Sequence, residues 1–450
     1  FVEPESEHSA ATFCEGFALS GGRVTNFTSG QGLVLMKEVL YTISGKRLPV
    51  VFNIGSRALT SQSLNVHAGH DDVMSVADCG WGILFGRNAQ EAGDLCLISR
   101  RAAENSSTPF MNVQDGFLTT HTVESVLVME PEFMKDYVGK PEDKLANLMD
   151  TESPMMSGVV QNQDSYMKGK ISQRWYYDQV EDHLQEAFEE FYRKTGRRYD
   201  LIDAYRCEDA EYILVGIGSY METAQITIDY LRDEKGIKAG CLNLYCFRPF
   251  PARQLVEALS SCKAFTVIER MDDPLSTTGN HLTREIKAAF CDAQNGQNGM
   301  PRVEEIPRIY HGAAGLGSRD VRPGDINAIF ANMIEDGQDF FCVGIKHALS
   351  LTLKDDPDLR PEGAYSMRGH SVGGFGSVTT NKVIATIAGQ VFGNDVQAYP
   401  KYGSEKKGLP TTYYLTIAET HIFSHSELEY VNLIVLNDTN AILSGNPLSG

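Results

Sequence analysis

Residues 50–72 read VVFNIGSRALTSQSLNVHAGHDD and place a charge where a buried strand ends. The apolar run Val50–Ile54 is typical of a strand inside a sheet, and it stops at Gly55 and Ser56, just before Arg57. Parallel sheets bind ligands beyond the carboxyl ends of their strands. A guanidinium stays charged and its planar fork matches a carboxylate or a phosphate. Arg57 is therefore a candidate anion-binding residue.

The same stretch allows two other interpretations. Arg57 would serve structure alone if it formed an ion pair with Asp71 or Asp72, and local sequence does not choose between the two roles. His67 and His70 add metal-ligand character beside these aspartates. However, they lie in a loop without an HExxH helix, and Asp and His are common in turns and helix caps. We expect no metal site here.

Outward from this stretch, apolar runs alternate with helical patterns, which predicts an α/β domain with a largely parallel sheet. The predicted strands are Val24–Thr28, Val50–Ile54, Gly82–Phe85 and Phe110–Val113, and the predicted helices are Ser9–Ser20, Gly32–Ser44 and Ala89–Asn105.

Three successive domains are predicted, at residues 1–200, 201–348 and 349–450. A polar segment and an amphipathic helix that ends near Gly196 close the first domain. The second repeats the strand–helix pattern, with one strand predicted over residues 239–250. The third begins after a polar linker and is incomplete.

Two glycine-containing turns join predicted strands to helices. In GHSVGGFGSVTTNKV (369–383), the glycines suit either a tight turn or an anionic group at a helix N-terminus. In VGIGSYMETA (215–224), we expect an ordinary turn between a strand and a helix.

Composition narrows the class of protein. The chain has 450 residues and a net charge of −19, which argues against nucleic-acid binding because phosphate recognition needs a basic surface. It has no membrane-length apolar run and no signal peptide. Nine scattered cysteines without CxxC spacing indicate reduced, mostly buried thiols rather than an iron–sulfur site. We expect a cytoplasmic protein, and a piece of a longer polypeptide because the first residue is not Met.

Glu7 starts a second region of interest, ESEHSAATFCEGFALSGG. Small residues at Ser9, Ala10 and Gly16 would let another group approach this helix closely. A glutamate near a helix start is also a common surface residue, since it complements the helix dipole. Local sequence leaves both roles open.

Several segments together resemble the pyruvate:ferredoxin oxidoreductase family of thiamine-diphosphate-dependent 2-oxoacid:acceptor oxidoreductases. They are ESEHSAATFCEGFALSGGRVTNFTSGQGLVLM, LPVVFNIGSRALTSQSLN, GHDDVM, PFMNVQDGFLTTHTVE and MMSGVVQNQDSYMKG, followed by CFRPF, RIYHGAAGLGSRDV, FFCVGIKHALSLTL and GHSVGGFGSVTTNK. The resemblance spans essentially the whole chain. It implies a thiamine-pyrimidine-side domain with a parallel sheet, a transketolase C-terminal-like domain and the start of a gamma-type third domain.

The resemblance implies oxidative decarboxylation of a 2-oxoacid, with pyruvate first, acyl transfer to coenzyme A and electron transfer to ferredoxin or flavodoxin. In reverse, the same enzyme would be a CO2-fixing synthase. Glu7 matches the glutamate that contacts the aminopyrimidine ring of thiamine diphosphate, and Arg57 matches the arginine that binds the substrate. Thr28, Ser29 and Gln31 are implied as further cofactor-binding residues.

Other expected parts are not in this sequence. The family holds Mg2+ and the diphosphate with a GDG…N motif and binds [4Fe–4S] clusters with CxxCxxC runs, so these belong to other domains or subunits. A homodimer of the complete enzyme is implied. The family's FGDH reads HAGH at 67–70, and DGFRTSH reads DGFLTTH at 115–121. Alternatives are therefore another 2-oxoacid such as 2-oxoglutarate or oxalate, a transketolase-like or dehydrogenase E1-type enzyme, or a non-catalytic scaffold paralogue.

Overall fold

The computed structural model of the protein describes residues 3–401, 409–444 and 447. Its strands form three mixed sheets with helices packed against them, so the predicted α/β class is confirmed. Among the described residues, no helix has both the length and the apolar character needed to cross a membrane.

The first sheet has the strand order β1-β2-β4-β3-β9. Its first four strands are parallel, and β9 pairs antiparallel with β3. The elements are α1 (Glu7–Leu19), β1 (Thr25–Thr28), α2 (Gln31–Leu35), α3 (Lys37–Gly45), β2 (Val51–Ser56), α4 (Asp71–Met74), β3 (Gly82–Gly86), α5 (Ala89–Ser106), β4 (Phe110–Asp115) and β5 (Val123–Glu124), with β9 (Cys246–Arg248) added from later in the chain.

The helices of this part follow the predicted pattern with one difference. The predicted helix Gly32–Ser44 is two helices, α2 and α3, which meet at Met36. The amide of Met36 contacts the carbonyl oxygens of both Gly32 and Leu33, so the helical turn tightens there. A connecting segment with α6 (Pro131–Val138), α7 (Tyr166–Ser172), α8 (Arg174–Tyr177) and α9 (Val180–Thr195) leads to the second sheet.

The second sheet has the order β12-β11-β10-β7-β8-β6, and it is parallel except for β6. Its elements are β6 (Ile202–Tyr205), β7 (Tyr212–Gly216), α10 (Tyr220–Asp233), β8 (Ala239–Leu244), α11 (Ala252–Leu259), β10 (Ala264–Glu269), α12 (His281–Asn295), β11 (Arg308–Ala313), α13 (Pro323–Ile334) and β12 (Phe340–Cys342). The single strand predicted over residues 239–250 is wrong. The chain turns near Tyr245, so that β8 stays in this sheet and β9 joins the first.

The third sheet is mainly antiparallel, in the order β16-β13-β15-β14-β5. It consists of β13 (Tyr365–Val372), β14 (Asp395–Lys401), β15 (Pro410–Ala418) and β16 (Leu433–Leu436), with α14 (Ser377–Phe392) against it and β5 added from the first part of the chain. Sheets one and three thus each take a strand from elsewhere in the chain, and the domain boundaries at 200 and 348 stay predictions.

The apolar cores distinguish these parts. One continuous cluster extends from Leu33 and Phe52 in the first part to Phe265 and Phe290 in the second. The third sheet has its own small cluster around Met367 and Leu415. All nine cysteines are free and six are buried, as their scattered spacing predicts.

Candidate active site

Arg57 follows β2 at the carboxyl edge of the first sheet, where the sequence predicts it. Its backbone pairs with Ala68, so the intervening loop folds back toward the strand end. The guanidinium carbon lies 5.3 Å from the ring centre of Phe117. Among the described residues, the buried Nε of Arg57 has no hydrogen-bond partner. The carboxylates of Asp71 and Asp72 accept backbone donors instead, so the structure does not contain the alternative ion pair.

Glu7 is the first residue of α1, and its side chain reaches the segment that begins α2. A Cβ atom added at Gly32 would lie 2.9 Å from Glu7 Cγ, 3.2 Å from Glu7 Oε1 and 3.0 Å from Thr28 Oγ1. Glu7 and Thr28 therefore pack directly against Gly32, where a larger residue would collide with them. The unpaired Arg57 Nε suits an anion, and the Glu7 carboxylate suits a hydrogen-bond donor such as a protonated heterocycle.

The other two predicted cofactor-binding residues, Ser29 and Gln31, contact different parts of the chain. Ser29 accepts the Gly32 amide through its backbone carbonyl at 3.2 Å. The side chain of Gln31 donates to Thr60 Oγ1 at 2.7 Å, in the loop that follows Arg57. The structure thus brings Glu7 and Thr28 together, whereas Gln31 turns toward the arginine loop.

The loop before α4, which contains His67 and His70, contacts the second part of the molecule through hydrogen bonds. Ala68 accepts the Gly317 amide at 2.7 Å and donates its own amide to Ser318 Oγ at 2.9 Å. The amide of His70 donates to the carbonyl of Arg270 at 2.9 Å. In the described ranges, no group of three or more His, Cys, Asp or Glu side chains could hold a metal ion.

Asp115, which ends β4, is a functional candidate that sequence reasoning missed. It is fully buried, and its carboxylate lies 2.8 Å from His70 Nε2 and 3.2 Å from Arg270 Nη2. It also accepts the backbone amide of Ser219 at 2.8 Å, in the glycine-containing turn before α10. Burial opposes its charge, but Arg270 and His70 outweigh burial and hold the pKa of Asp115 well below its ordinary value. The strand-end rule that selects Arg57 also applies to Asp115.

A second buried cluster joins α10 to the third part of the chain. His425 Nε2 contacts the carboxylate of Glu222, and His425 Nδ1 lies 3.8 Å from Glu124 Oε1. His421 lies 3.6 Å from Glu222 and 3.1 Å from Asp395. Burial opposes a charge on His425, but the Glu222 carboxylate raises its pKa above the ordinary value. Sequence contains no signal for this cluster, because Glu222 and His425 are 203 residues apart.

A cavity of about 380 Å3 opens beside the Arg57–Phe117 pair. Its walls come from all three parts of the chain: His67, Phe117, Leu118, Gly317, Ser318, Asp320, Tyr399, Pro400, Lys401, Pro410, Thr412, His425 and Glu427. Burial and the nearby Glu427 carboxylate together raise the pKa of the Asp320 carboxyl to about 7. Two of the residues that depart from the family pattern, His67 and Leu118, line this cavity.

The glycine-rich turn at 369–383 connects β13 to α14. Gly374 and Gly376 have φ angles of 103° and 75°, a conformation that other residues rarely adopt, so the turn itself requires glycine. The alternative role, as an anion site, stays a prediction.

Three family models match the chain in succession. They describe a pyruvate flavodoxin/ferredoxin oxidoreductase, thiamine-diphosphate-binding domain at residues 1–189, pyruvate:ferredoxin oxidoreductase core domain II at residues 210–326, and a pyruvate ferredoxin/flavodoxin oxidoreductase domain at residues 366–448.

Individual proteins with similar sequences carry names of the same family. Pyruvate synthase subunit PorA of Thermotoga maritima is 35% identical, and the match covers 75% of this chain and 84% of that subunit. Pyruvate:ferredoxin oxidoreductase of Moorella thermoacetica is 30% identical over 100% of this chain, which spans 38% of that protein's length. A solved 2-oxoglutarate:ferredoxin oxidoreductase from Magnetococcus marinus, with 2-oxoglutarate, coenzyme A and succinyl-CoA bound, has a similar fold. Its TM-score is 0.52 at 15% identity, over 74% of this chain and 57% of that one.

Proposed function

The chain belongs to the pyruvate:ferredoxin oxidoreductase family, and we propose that it forms part of a 2-oxoacid:ferredoxin or flavodoxin oxidoreductase whose substrate is pyruvate. The observation that supports this proposal is the buried Arg57 Nε without a hydrogen-bond partner, at the carboxyl end of β2. A buried, unpaired guanidinium nitrogen is costly unless a ligand completes its hydrogen bonds.

In this proposal, Arg57 binds the substrate carboxylate with a charge-assisted hydrogen bond. Glu7 would accept a hydrogen bond from the aminopyrimidine ring of thiamine diphosphate. Thr28 and Ser29 would border the same side of that ring, and Gln31 would border it from the side of the loop that follows Arg57. When bound, the cofactor supplies the carbanion that adds to the oxo carbon and accepts the electrons released on decarboxylation. Arg57 would orient the substrate through its carboxylate, and Glu7 would orient the aminopyrimidine ring of the cofactor.

The cavity beside Phe117 is a candidate route for the acyl acceptor, which we propose to be coenzyme A. Its wall includes Phe117, whose ring centre lies 5.3 Å from the guanidinium carbon of Arg57, and Lys401 from the third part of the chain. Mg2+ and [4Fe–4S] clusters would be bound by the remaining domains or subunits, which pass electrons to ferredoxin or flavodoxin. The complete enzyme would be a cytoplasmic homodimer, and the same residues would serve oxoacid oxidation or CO2-fixing synthesis.

The test uses the complete enzyme, with all domains or subunits and clusters present. Viologen reduction is measured with pyruvate, 2-oxoglutarate or oxalate, with and without coenzyme A. We expect reduction that requires both an oxoacid and coenzyme A. Absence of reduction with every oxoacid in a cluster-replete preparation would contradict the proposal.

Two variants separate the residue roles. Arg57→Ala removes a hydrogen bond to a charged group, worth about 1.5–3 kcal/mol, so kcat/KM for the oxoacid should fall roughly 10- to 150-fold. Glu7→Gln should lower kcat even at saturating oxoacid. Arg253→Ala, at an exposed position on α11, is the matched control and should leave both constants unchanged. Wild-type rates in both site variants would mean that these residue assignments are wrong.

A different 2-oxoacid is the second candidate, because Leu118 and His67 face the cavity next to Arg57. The family pattern has arginine where this chain has Leu118, so an additional cation is missing from the cavity wall. Comparison of kcat/KM among the three oxoacids distinguishes the candidates. If pyruvate is not preferred, Leu118→Arg should shift the preference toward it.

A further inference from the structure

Asp72 links the two segments that carry the proposed site residues. Its Oδ2 accepts the backbone amide of Gly30 at 2.8 Å and that of Arg57 at 3.0 Å. Its Oδ1 accepts the amide of Val73 at 2.7 Å and lies 2.7 Å from Ser56 Oγ. One carboxylate therefore joins the start of α2 to the end of β2.

The environment of Asp72 is unusual for a carboxylate. The residue is 0% exposed, and none of the described ion pairs includes it. An isolated buried charge is unfavourable unless hydrogen bonds compensate it. Backbone amides supply those bonds here, although burial raises the pKa of Asp72 to about 6. Asp72 therefore accepts hydrogen bonds that an apolar side chain at this position could not accept.

The two bridged amides belong to functionally distinct segments. Gly30 lies within the segment Thr28–Gln31, which holds the proposed cofactor-binding residues, whereas Arg57 is the proposed substrate-binding residue. A Cβ atom added at Gly30 would lie 3.7 Å from Arg57 Cβ, so the two segments lie close together, and the Asp72 carboxylate joins them. A shift of one segment therefore moves the other.

We propose that Asp72 is a positioning residue whose carboxylate holds the backbones of Gly30 and Arg57 together and so sets the distance between the cofactor-binding segment and the substrate-binding arginine. The inference rests on the proposed function for the roles of those segments. The bridge itself concerns only residues of this chain.

The decisive variant is Asp72→Ala in the complete enzyme. It leaves both amides without their acceptor, so hydrogen exchange at residues 30 and 57 should accelerate at least tenfold in the cofactor-free enzyme. In steady-state assays, the KM for the oxoacid and the half-saturating concentration of thiamine diphosphate should both rise at least tenfold. A purely structural defect would lower kcat through loss of active enzyme and leave these two constants unchanged.

Two further variants make the test specific. Asp72→Asn keeps one oxygen facing both amides, although its NH2 group replaces the acceptor of the Val73 amide. Because the Val73 contact lies outside the bridge and a neutral acceptor is weaker than a charged one, both constants should be restored to within about threefold of wild type. Asp71→Ala removes a neighbouring carboxylate that accepts only the Leu59 amide among the described contacts, at 3.3 Å, and should change neither constant more than twofold.

The outcomes distinguish the inference from the proposed function. Faster exchange at only one of the two amides, or a rise in only one constant, would overturn the positioning role. If Asp72→Ala does not fold, Asp72→Asn tests the positioning role instead. In that variant, hydrogen exchange at the amides of residues 30 and 57 should accelerate together by about threefold. If wild-type enzyme lacks oxoacid-dependent activity, the exchange experiment still tests the bridge, while the proposed function fails separately.

Discussion

Helix α10 begins between two buried charge clusters that differ in their cations. On the side of the first sheet, Asp115 accepts the Ser219 amide and pairs with Arg270, which is 1% exposed. On the side of the third sheet, Glu222 in the first turn of the same helix contacts His425. Both clusters join parts of the chain far apart in sequence. The first contains the permanent cation of Arg270 as well as the His70 imidazole, whereas Glu222 in the second pairs with the imidazoles of His421 and His425.

The apolar cores around the two charge clusters also differ in extent. The Asp115 cluster lies where a continuous apolar core joins the first two sheets. The Glu222 cluster joins a third sheet whose own apolar core is small. Removal of charge should therefore have different consequences at the two places. At the first, it destabilises a shared core, whereas at the second it loosens the attachment of one sheet.

The largest effect is expected for Arg270→Met. This variant leaves the Asp115 carboxylate buried without its permanent cation, and breaking a buried pair in this way typically costs about 3–5 kcal/mol. Urea unfolding of the complete enzyme, followed at the first two sheets by hydrogen exchange, measures the loss. Arg284→Met removes a half-exposed pair with Asp273 and should cost about 0–1 kcal/mol. Equal losses in the two variants would remove the distinction between buried and exposed pairs.

A smaller and more local effect is expected for His425→Gln. The variant leaves Glu222 and Glu124 near one another without the imidazolium between them, and an unsatisfied buried group costs about 1–3 kcal/mol. Hydrogen exchange should accelerate in β13–β15 and stay unchanged in β2 and β4. Glu222→Gln combined with His425→Gln should cost less than the sum of the single variants. Additive losses would indicate that the two residues do not interact.

The pH dependence should distinguish the clusters without mutation. The Asp395 and Glu222 carboxylates raise the pKa of His421 from 6.5 to about 10, and the pKa of His425 is also raised. Their stabilising contribution is thus complete below about 6.5 and is lost as the pH rises toward about 10. The pKa of Glu222 is lowered, so its own contribution is complete above its ordinary value of 4.5 and is lost progressively as the pH falls below that value.

Exchange in β13–β15, corrected for the intrinsic effect of pH, should therefore accelerate between pH 6 and pH 9.5. The contacts of Asp115 should persist over this range because Arg270 keeps its charge and the pKa of Asp115 is lowered. Two results would contradict this expectation. One is an equal acceleration of hydrogen exchange in the first two sheets, and the other is an acceleration in the third sheet only on acidification.

The smallest effect is expected for His421→Gln. The His421 side chain is half exposed, and ion pairs in contact with water contribute about 0–1 kcal/mol. Exchange in the third sheet should change less than in His425→Gln. The opposite ranking would mean that exposed His421, rather than buried His425, anchors this sheet.

Much of the fold is predictable because it depends on local patterns. Burial on one or both faces leaves apolar periodicity in each strand and helix, so the strands around Arg57 and the three α/β parts follow from sequence. The same strand-end rule predicts Arg57 as an anion-binding residue, and motifs resembling a known family predict Glu7 as a cofactor contact. The boundary between β8 and β9 is not visible in this way, since both strands are buried and the intervening turn contains no glycine or proline.

The sequence by itself determined most strands and helices of the first two parts, the likeness to an enzyme family and the candidate charges at strand ends. Only the tertiary structure decided the partners of those charges. The carboxylate of Asp72 bonds an amide 42 residues away rather than the Arg57 guanidinium, and Asp115 meets the Ser219 amide 104 residues away. The physical reason is that periodicity records whether a side chain is buried, whereas the choice of partner depends on which chain segments pack together.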